Sequence, residues 1–244
     1  GILALYVGAG QRSFSFLTMA AQQFDPTLQS WVFLAFYVGF GILAGIWPLH
    51  TWSPDGHASA PTPVSMLHGG VLMKLGAYGV VRLGMGLLPQ ATVEWAWLVG
   101  TIACINIVYG ALSAMAQRDL KYVIAYSSVS HMGVVMLGAA TLTLNGLNGS
   151  VFQMFAHGIM TGLFFALVGL IYEKAHSREI FKMGGFGTMM PGIAVAFTIG
   201  GLSSLGLPAT AGFVAEFLTF LGAWGSAHPW WLFPGVIGAF LTSI

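Results

Sequence analysis

Charge is what this chain lacks. Aspartate, glutamate, lysine and arginine make up 6% of its 244 residues, where soluble domains carry about 25%. So little charge cannot clothe a water-soluble globule of this size, and the bare surface reads as lipid-facing. The net charge of +1, with no basic block, excludes a nucleic-acid partner. One cysteine, Cys104, sits inside an apolar run. It excludes a disulfide framework and a thiolate metal cluster, and reads as a small buried hydrophobe. There is no Walker loop, dinucleotide fingerprint, haem motif or nucleophile elbow. The expectation is a chain with no cofactor, no metal and no covalent chemistry of its own.

What is present is apolar sequence in long runs. Hydrophobic residues make up 57% of the chain and the mean hydropathy is +0.82. The runs are bounded by charges, and they are long enough for spanning helices of about 20 residues. They predict spans near 30–51, 62–88, 95–116, 121–142, 149–172 and 190–222, with a partial one from about 230. Asn145-Gly-Leu-Asn-Gly supplies a turn that divides the longest uncharged stretch. The segment 8–30 is weaker and polar-interrupted, and predicts a loop with a short surface helix. Apolar ends at Gly1–Gly8 and Phe233–Ile244 predict spans cut midway, so residues 1–244 read as one transmembrane domain inside a longer polypeptide.

Lysine and arginine set the orientation. Arg118 and Lys121 fall in one connection and Lys174, Arg178 and Lys182 in another, while the intervening connections 89–94, 142–149 and 222–230 hold none. The positive-inside rule places the two basic connections on the cytoplasmic side or its organellar equivalent. Arg12 falls on the opposite side as an exception.

Two runs resist reading as plain helices. Pro48, Pro54, Pro61 and Pro63 interrupt the first, and Pro208, within a Gly/Ser-rich stretch from Gly200 to Gly212, breaks the 190–222 run. Backbone freed at membrane depth needs protein or water partners, so broken helices line cavities and pathways. Lys74 follows the first break and Glu216 the second. Lys74 lies too far from either end of its span to snorkel easily, and a charge at that depth costs roughly 2.5–3.5 kcal/mol on insertion scales. Glu216 has apolar neighbours on both sides. Ser150, Gln153, His157 and Thr161 recur at helical spacing on one face, a line that could hold a file of water. His131 has Ser127 and Ser130 beside it. Imidazoles take up and release protons near neutrality, so His131 and His157 can bridge a lysine and a glutamate. The bland alternative for each is a satisfied buried partner. Asn106, Tyr109, Ser113 and Gln117 read as helix-packing glue. His50, His57 and His68 cluster near the first break without metal-ligand spacing. Asp55, Glu94, Glu173 and Glu179 read as solvated loop residues.

Five strings carry a resemblance. They are Pro48-Leu-His-Thr-Trp-Ser-Pro-Asp-Gly-His-Ala-Ser-Ala-Pro-Thr, Val71-Leu-Met-Lys-Leu-Gly-Ala-Tyr-Gly, Asp119-Leu-Lys-Tyr-Val-Ile-Ala-Tyr-Ser-Ser-Val-Ser-His-Met-Gly, Gln153-Met-Phe-Ala-His-Gly, and Gly206-Leu-Pro-Ala-Thr-Ala-Gly-Phe-Val-Ala-Glu-Phe. Together, in order and over essentially the whole chain, they resemble the proton-conducting, antiporter-like subunits of respiratory complex I (NADH-quinone oxidoreductase). The branch called subunit M, subunit 4 in mitochondria and D in the chloroplast-type complex, is the best match. The resemblance implies an all-α fold of fourteen transmembrane helices in two inverted repeats, each with a broken helix. This chain would run from the end of helix 6 to the start of helix 13. It also implies roles: Lys74 as the central lysine, His131 and His157 as relay positions, and Glu216 as the acid on the second broken helix. The implied activity is proton translocation coupled to quinone reduction elsewhere in the complex. The implied partners are the other membrane subunits and the bilayer. The implied membrane is a bacterial or archaeal plasma membrane, ahead of the mitochondrial inner membrane or thylakoid. One departure stands out. The family's lysine on the first broken helix corresponds here to Leu43, and His68 replaces a small apolar residue, making it a candidate substitute. The rival expectations are an Mrp-type cation/proton antiporter or membrane-bound hydrogenase subunit, and a structural subunit that has lost conduction.

Overall fold

The computed structural model describes residues 1–10 and 14–242; Arg12 lies outside the described residues. Every regular element described is helical, and the one strand-like feature is an isolated bridge between Asp119 and Glu179. Among the described residues, five helices are long and apolar enough to cross a membrane: Pro26–Ala44, Thr62–Met85, Pro89–Met115, Leu120–Ala140 and Leu144–Ala175. Shorter apolar helices follow at Pro191–Ser204, Ala211–Trp224 and Leu232–Leu241. Isolated helices of such length are held by packing, and in lipid their backbone groups must be paired internally.

Boundaries moved where caps overrode hydropathy. The first span begins at Pro26, because the Asp25 carboxylate accepts from the Thr27 and Leu28 amides (2.9 and 3.2 Å) and proline suits the first helical position. It ends at Ala44, where Gly45 turns into the left-handed region (φ 73°) that glycine enters without strain. Pro89 likewise starts the next long helix ahead of the expected residue 95, which puts Glu94 on a helix surface. Glu173 is helical too, and Asp55 lies in the first turn of Trp52–Ser59. All three carboxylates are exposed, as expected, but Glu94, Asp55 and Glu173 are not in loops.

The predicted turn over 145–149 is wrong. Those residues open the Leu144–Ala175 helix, with Thr143 as N-cap accepting from the Gly146 amide at 3.1 Å. The glycines there serve contact: a Cβ at Gly146 would overlap Thr141 Oγ1, and one at Gly149 would lie 2.5 Å from Thr219 N. Small residues let membrane helices approach this closely. A short helix at Phe16–Ala20 fits the predicted surface helix.

Both predicted breaks are present. The first runs over 45–51, between Pro26–Ala44 and Trp52–Ser59; the second over 205–210, between Pro191–Ser204 and Ala211–Trp224. In the second, Ala209 sits at φ 82°, a strained position for a residue with a Cβ. The turn after Ser59 lies at the basic face, because Arg178 donates to Ala58 O (2.9 Å) and Lys121 to Ala60 O (2.7 Å). The same face holds the Arg178–Asp119 and Lys182–Glu179 ion pairs, at 3.1 and 2.5 Å. Arg82, near the other end of the Thr62–Met85 helix, stacks over Phe16 at the opposite face.

Candidate functional site

The site is built on four elements that meet at mid-depth. Lys74 lies near the middle of the Thr62–Met85 helix, His131 on Leu120–Ala140, His157 on Leu144–Ala175, and Glu216 on the second arm of the second break. All four are buried.

The Lys74 helix is not uniform. Two π-helical segments, His68–Leu72 and Val80–Met85, flank the turn that carries the lysine. In the first, the Met73 amide reaches back five residues to His68 O. π-turns concentrate at functional positions because they widen the helix and re-aim its groups. Here Gly69 O accepts from the Lys74 ammonium, also five residues on. Apolar periodicity does not signal such a turn, and sequence reasoning missed it.

Across from Lys74, the polar stripe of the Leu144–Ala175 helix faces inward as expected. Ser150, Gln153, His157 and Thr161 are each at most 2% exposed. Five of their polar atoms have no hydrogen-bond partner: Ser150 Oγ, Gln153 Oε1, both ring nitrogens of His157, and Thr161 Oγ1. Leaving a buried polar group unpaired costs about 1–3 kcal/mol each. A file of such atoms is not how a helix is glued to its neighbours, and it is how a polar path is lined. Gly158, next to His157, is the near contact to the lysine: a Cβ there would lie 3.8 Å from Lys74 Cε.

The path continues through His131. Its ring centroid is 5.0 Å from that of His157. Its Nδ1 lies 3.2 Å from Gln153 Nε2 and 3.5 Å from Glu216 Oε1, and its Nε2 lies 3.3 Å from Ser204 Oγ. The two neighbours of Nδ1 suit opposite proton states. A bare Nδ1 accepts from the Gln153 amide; a protonated Nδ1 donates to the Glu216 carboxylate. Glu216 in turn abuts the second break, with Oε2 2.7 Å from where a Cβ on Gly206 would stand. A cavity of about 460 Å³ beside this junction is lined mostly by apolar side chains, with His157, Thr161, Ser127, Ser128, Ser204 and, at the basic face, Gln117 among them.

Other expected residues fall elsewhere. Ser130 Oγ donates to Ile107 O at 2.8 Å and is packing glue. Asn106 is a brace: it accepts from the Trp47 amide and donates to Val129 O, both at 2.8 Å, tying the first break to the His131 helix. Tyr109 meets His50 edge-on at 5.0 Å, and Gln117, just past the end of that helix, donates back to Ser113 O. Cys104 is buried and free. Leu43, at the position of the expected lysine, is half-buried. His57 and His68 are stacked at 4.0 Å. No group of three or more histidine, cysteine or acidic residues is placed to hold a metal among the described residues. Lys121, counted from sequence as a loop charge, is only 5% exposed. Thr219, with an unpartnered Oγ1 beside Ser150, and Ser204 went unnoticed in the sequence because a lone hydroxyl in an apolar run carries no signal.

The chain is similar to known membrane proteins over nearly its whole length. Residues 1–242 match the family described as NADH:quinone oxidoreductase/Mrp antiporter, TM. The chain is 42% identical over 222 residues to NAD(P)H-quinone oxidoreductase chain 4 1 of Synechococcus sp. (strain JA-3-3Ab), covering 91% of this chain and 42% of the relative. It is 41% identical over 220 residues to NAD(P)H-quinone oxidoreductase chain 4 of Gloeobacter violaceus, covering 90% and 42%. It thus spans about two-fifths of the length of these relatives. A chain of respiratory complex I from Thermus thermophilus with bound NADH superposes with a TM-score of 0.94 at 32% identity, over 99% of this chain and 52% of that one. A chain of the Mrp complex from Dietzia sp. DQ12-45-1b shares the fold, with a TM-score of 0.86 at 22% identity over 99% of this chain and 46% of that one. The chain is an integral membrane protein and belongs to the NADH:quinone oxidoreductase/Mrp antiporter transmembrane family.

Proposed function

We propose that this chain is the proton-conducting core of an antiporter-like membrane subunit in a complex I-type NADH-quinone oxidoreductase. It takes part in that enzyme as a translocase element and performs no covalent chemistry itself. Protons move from Lys74 through His157 and His131 to Glu216 and leave at the face opposite the basic loops. The observation that carries this reading is the His131 junction: one imidazole within 3.5 Å of a buried carboxylate, beside a second imidazole on a stripe of unpartnered polar atoms. Lys74 supplies a group that holds or releases a proton at mid-depth, where a fixed charge is costly. His131 can hold one at Nδ1 and release another from Nε2, which lets it pass protons without changing place. The family match and the quinone-oxidoreductase relatives support the assignment. They also support other membrane subunits as partners, and a bacterial or thylakoid membrane as the location.

The test is proton-to-electron stoichiometry of the reconstituted parent complex. Lys74→Ala is expected to abolish proton movement through this subunit while the complex still assembles and reduces quinone. A stoichiometry equal to that of the unmodified complex would sink the proposal. The rival reading, an Mrp-type cation/proton antiporter, rests on the shared fold and on the family description itself. Sodium-dependent transport by the same preparation would favour it.

A further inference from the structure

Lys121 is the cation that neither the ion pairs nor the relay accounts for. It is buried at the start of the Leu120–Ala140 helix, and its ammonium donates to two neutral oxygens, Ala60 O (2.7 Å) and Ser65 Oγ (3.4 Å). Among the described residues no carboxylate pairs with it. The neighbouring acid, Asp119, is engaged by Arg178 Nε at 3.1 Å and by the Lys121 amide at 2.7 Å. An ammonium has three N–H groups, so one is left over, and a charge taken out of water calls for a counter-charge. The ammonium lines a cleft of about 440 Å³ at the basic face, with Ser59, Ala60, Thr62, Tyr172 and Arg178. Arg178 is anchored there by Ala58 O at 2.9 Å and lies 5.8 Å from the Tyr172 ring centroid. Its guanidinium has five N–H groups and keeps some to spare. With two cations and one acid, the cleft is net positive.

Thr62 and Tyr172 belong to the helices Thr62–Met85 and Leu144–Ala175. One to two turns further in, the same two helices enclose an open groove of about 590 Å³. Leu67 and Val71 form one wall and Phe155 and Ile159 the other, each at least half exposed. The floor is backbone at Gly158 and Gly162, and a Cβ at Gly162 would meet no heavy atom within 4 Å. Lys74 closes the inner end. From Thr62 to Lys74 the helix rises about 18 Å, and one leaflet of hydrocarbon is about 15 Å deep. Cleft and groove together therefore run through one leaflet, from headgroup level to mid-depth. Over that length the groove is roughly 30 Å² in section, against roughly 80 Å² for a helix 10 Å across. A helix could rest on it, but only a thin chain goes in.

We propose that an anionic phospholipid occupies this surface, its phosphate between Lys121 and Arg178 and one acyl chain in the groove down to Lys74. Charge selects the headgroup. Basic pockets between membrane helices at such a face suit anionic headgroups, whereas a zwitterionic one brings a further cation to a cleft that already has two. The phosphate supplies the counter-charge that Lys121 lacks, and the acyl chain covers the outer side of the Lys74 stem. The occupant is structural and undergoes no reaction.

The experiment uses the whole parent complex, delipidated and returned to nanodiscs of phosphatidylglycerol or of phosphatidylcholine, the latter with and without inorganic phosphate. Retained lipid is counted by mass spectrometry after re-extraction into detergent, and the melting temperature is followed in the discs. Phosphatidylglycerol is expected to be retained over phosphatidylcholine by roughly tenfold or more, and to raise the melting temperature. The double variant Lys121→Gln with Arg178→Gln is expected to abolish that preference, while Lys182→Gln, on the same face and paired with Glu179, keeps it. Because Lys121 and Arg178 also hold the turn after Ser59, Gly162→Leu is the second variant: it fills the groove, leaves both cations in place, and is expected to release the lipid by itself. Equal retention of the two lipids, or a preference that survives both variants, overturns the proposal. Inorganic phosphate that reproduces the gain in melting temperature marks a free-anion site and overturns the lipid. Failure of Gly162→Leu to assemble, with no selected lipid on the unmodified complex, means that a helix covers the groove and overturns it too.

Discussion

Lys74 and His131 show what a single residue can and cannot announce. A lysine in the middle of an apolar run announces itself, since nothing cheap explains it. What Lys74 does depends on Gly69, whose carbonyl it meets and whose missing Cβ leaves room for His57 and Thr161, 3.2 and 2.5 Å from the Cβ position. At His131 the decisive neighbour is Gln153, which can donate to a bare Nδ1 but not to a protonated one. Gln153→Leu removes that stabilisation of the neutral ring while leaving Lys74, His157 and Glu216 in place. It is expected to lower proton translocation about tenfold, with quinone reduction preserved. Glutamate at the same position, able to accept from a protonated Nδ1, is expected to shift the pH profile of pumping. A merely structural Gln153 would leave that profile where it is.

At the scale of elements, the two breaks and the two π-segments position the site. The first break is held open by Asn106, which satisfies the Trp47 amide on one side and Val129 O on the other. Asn106→Leu would orphan both groups in a dry interface, at about 1–3 kcal/mol each. Thermal unfolding of the purified protein in detergent should show a clear drop in melting temperature. No change would mean the brace is not bearing load. The breaks themselves were readable from proline and glycine. The span from 145 to 149 was misread for the same reason: glycine and asparagine spell a turn, and here they open a helix. At Gly146 and Gly149 the missing side chains admit Thr141 and Thr219. Composition cannot separate a glycine kept for a turn from one kept for contact. The π-turns were invisible because they change which amide meets which carbonyl without changing the apolar pattern.

For the whole molecule, the asymmetry between faces is the ruling feature. Connections 116–119 and 176–190, with the adjoining helix ends and the turn after Ser59, gather most of the described cations and their ion pairs at one face, while Arg82 lies at the other. The positive-inside rule predicts that this face is cytoplasmic or its equivalent. Phe181 (78% exposed) lies at it and Leu144 (75% exposed) at the other, and Cys104 is buried. A membrane-impermeant maleimide added outside intact cells is therefore expected to label Leu144→Cys and spare Phe181→Cys. The reverse pattern would invert the orientation, and labelling of both from one side would contradict the helix count between them. Glu216 lies on the Ala211–Trp224 arm, which leads away from the basic face, so the proposed relay would exit there.

The amino-acid sequence alone determined the membrane environment, most of the spans and both breaks, and it singled out an expected orientation and four ionisable residues. Each of these follows from a property a residue carries wherever it sits: hydropathy, charge, a missing amide hydrogen, a titratable group. The tertiary structure decided which of these groups meet. It set Glu216 against His131, laid the unpartnered face of Ser150, Gln153, His157 and Thr161 toward the interior, and stacked His57 on His68, eleven positions along the chain, across a turn at the basic face. Contacts between helices depend on the phase and depth at which each helix packs. Those are fixed by small residues and π-turns, whose effect exists only once the neighbouring helix is in place.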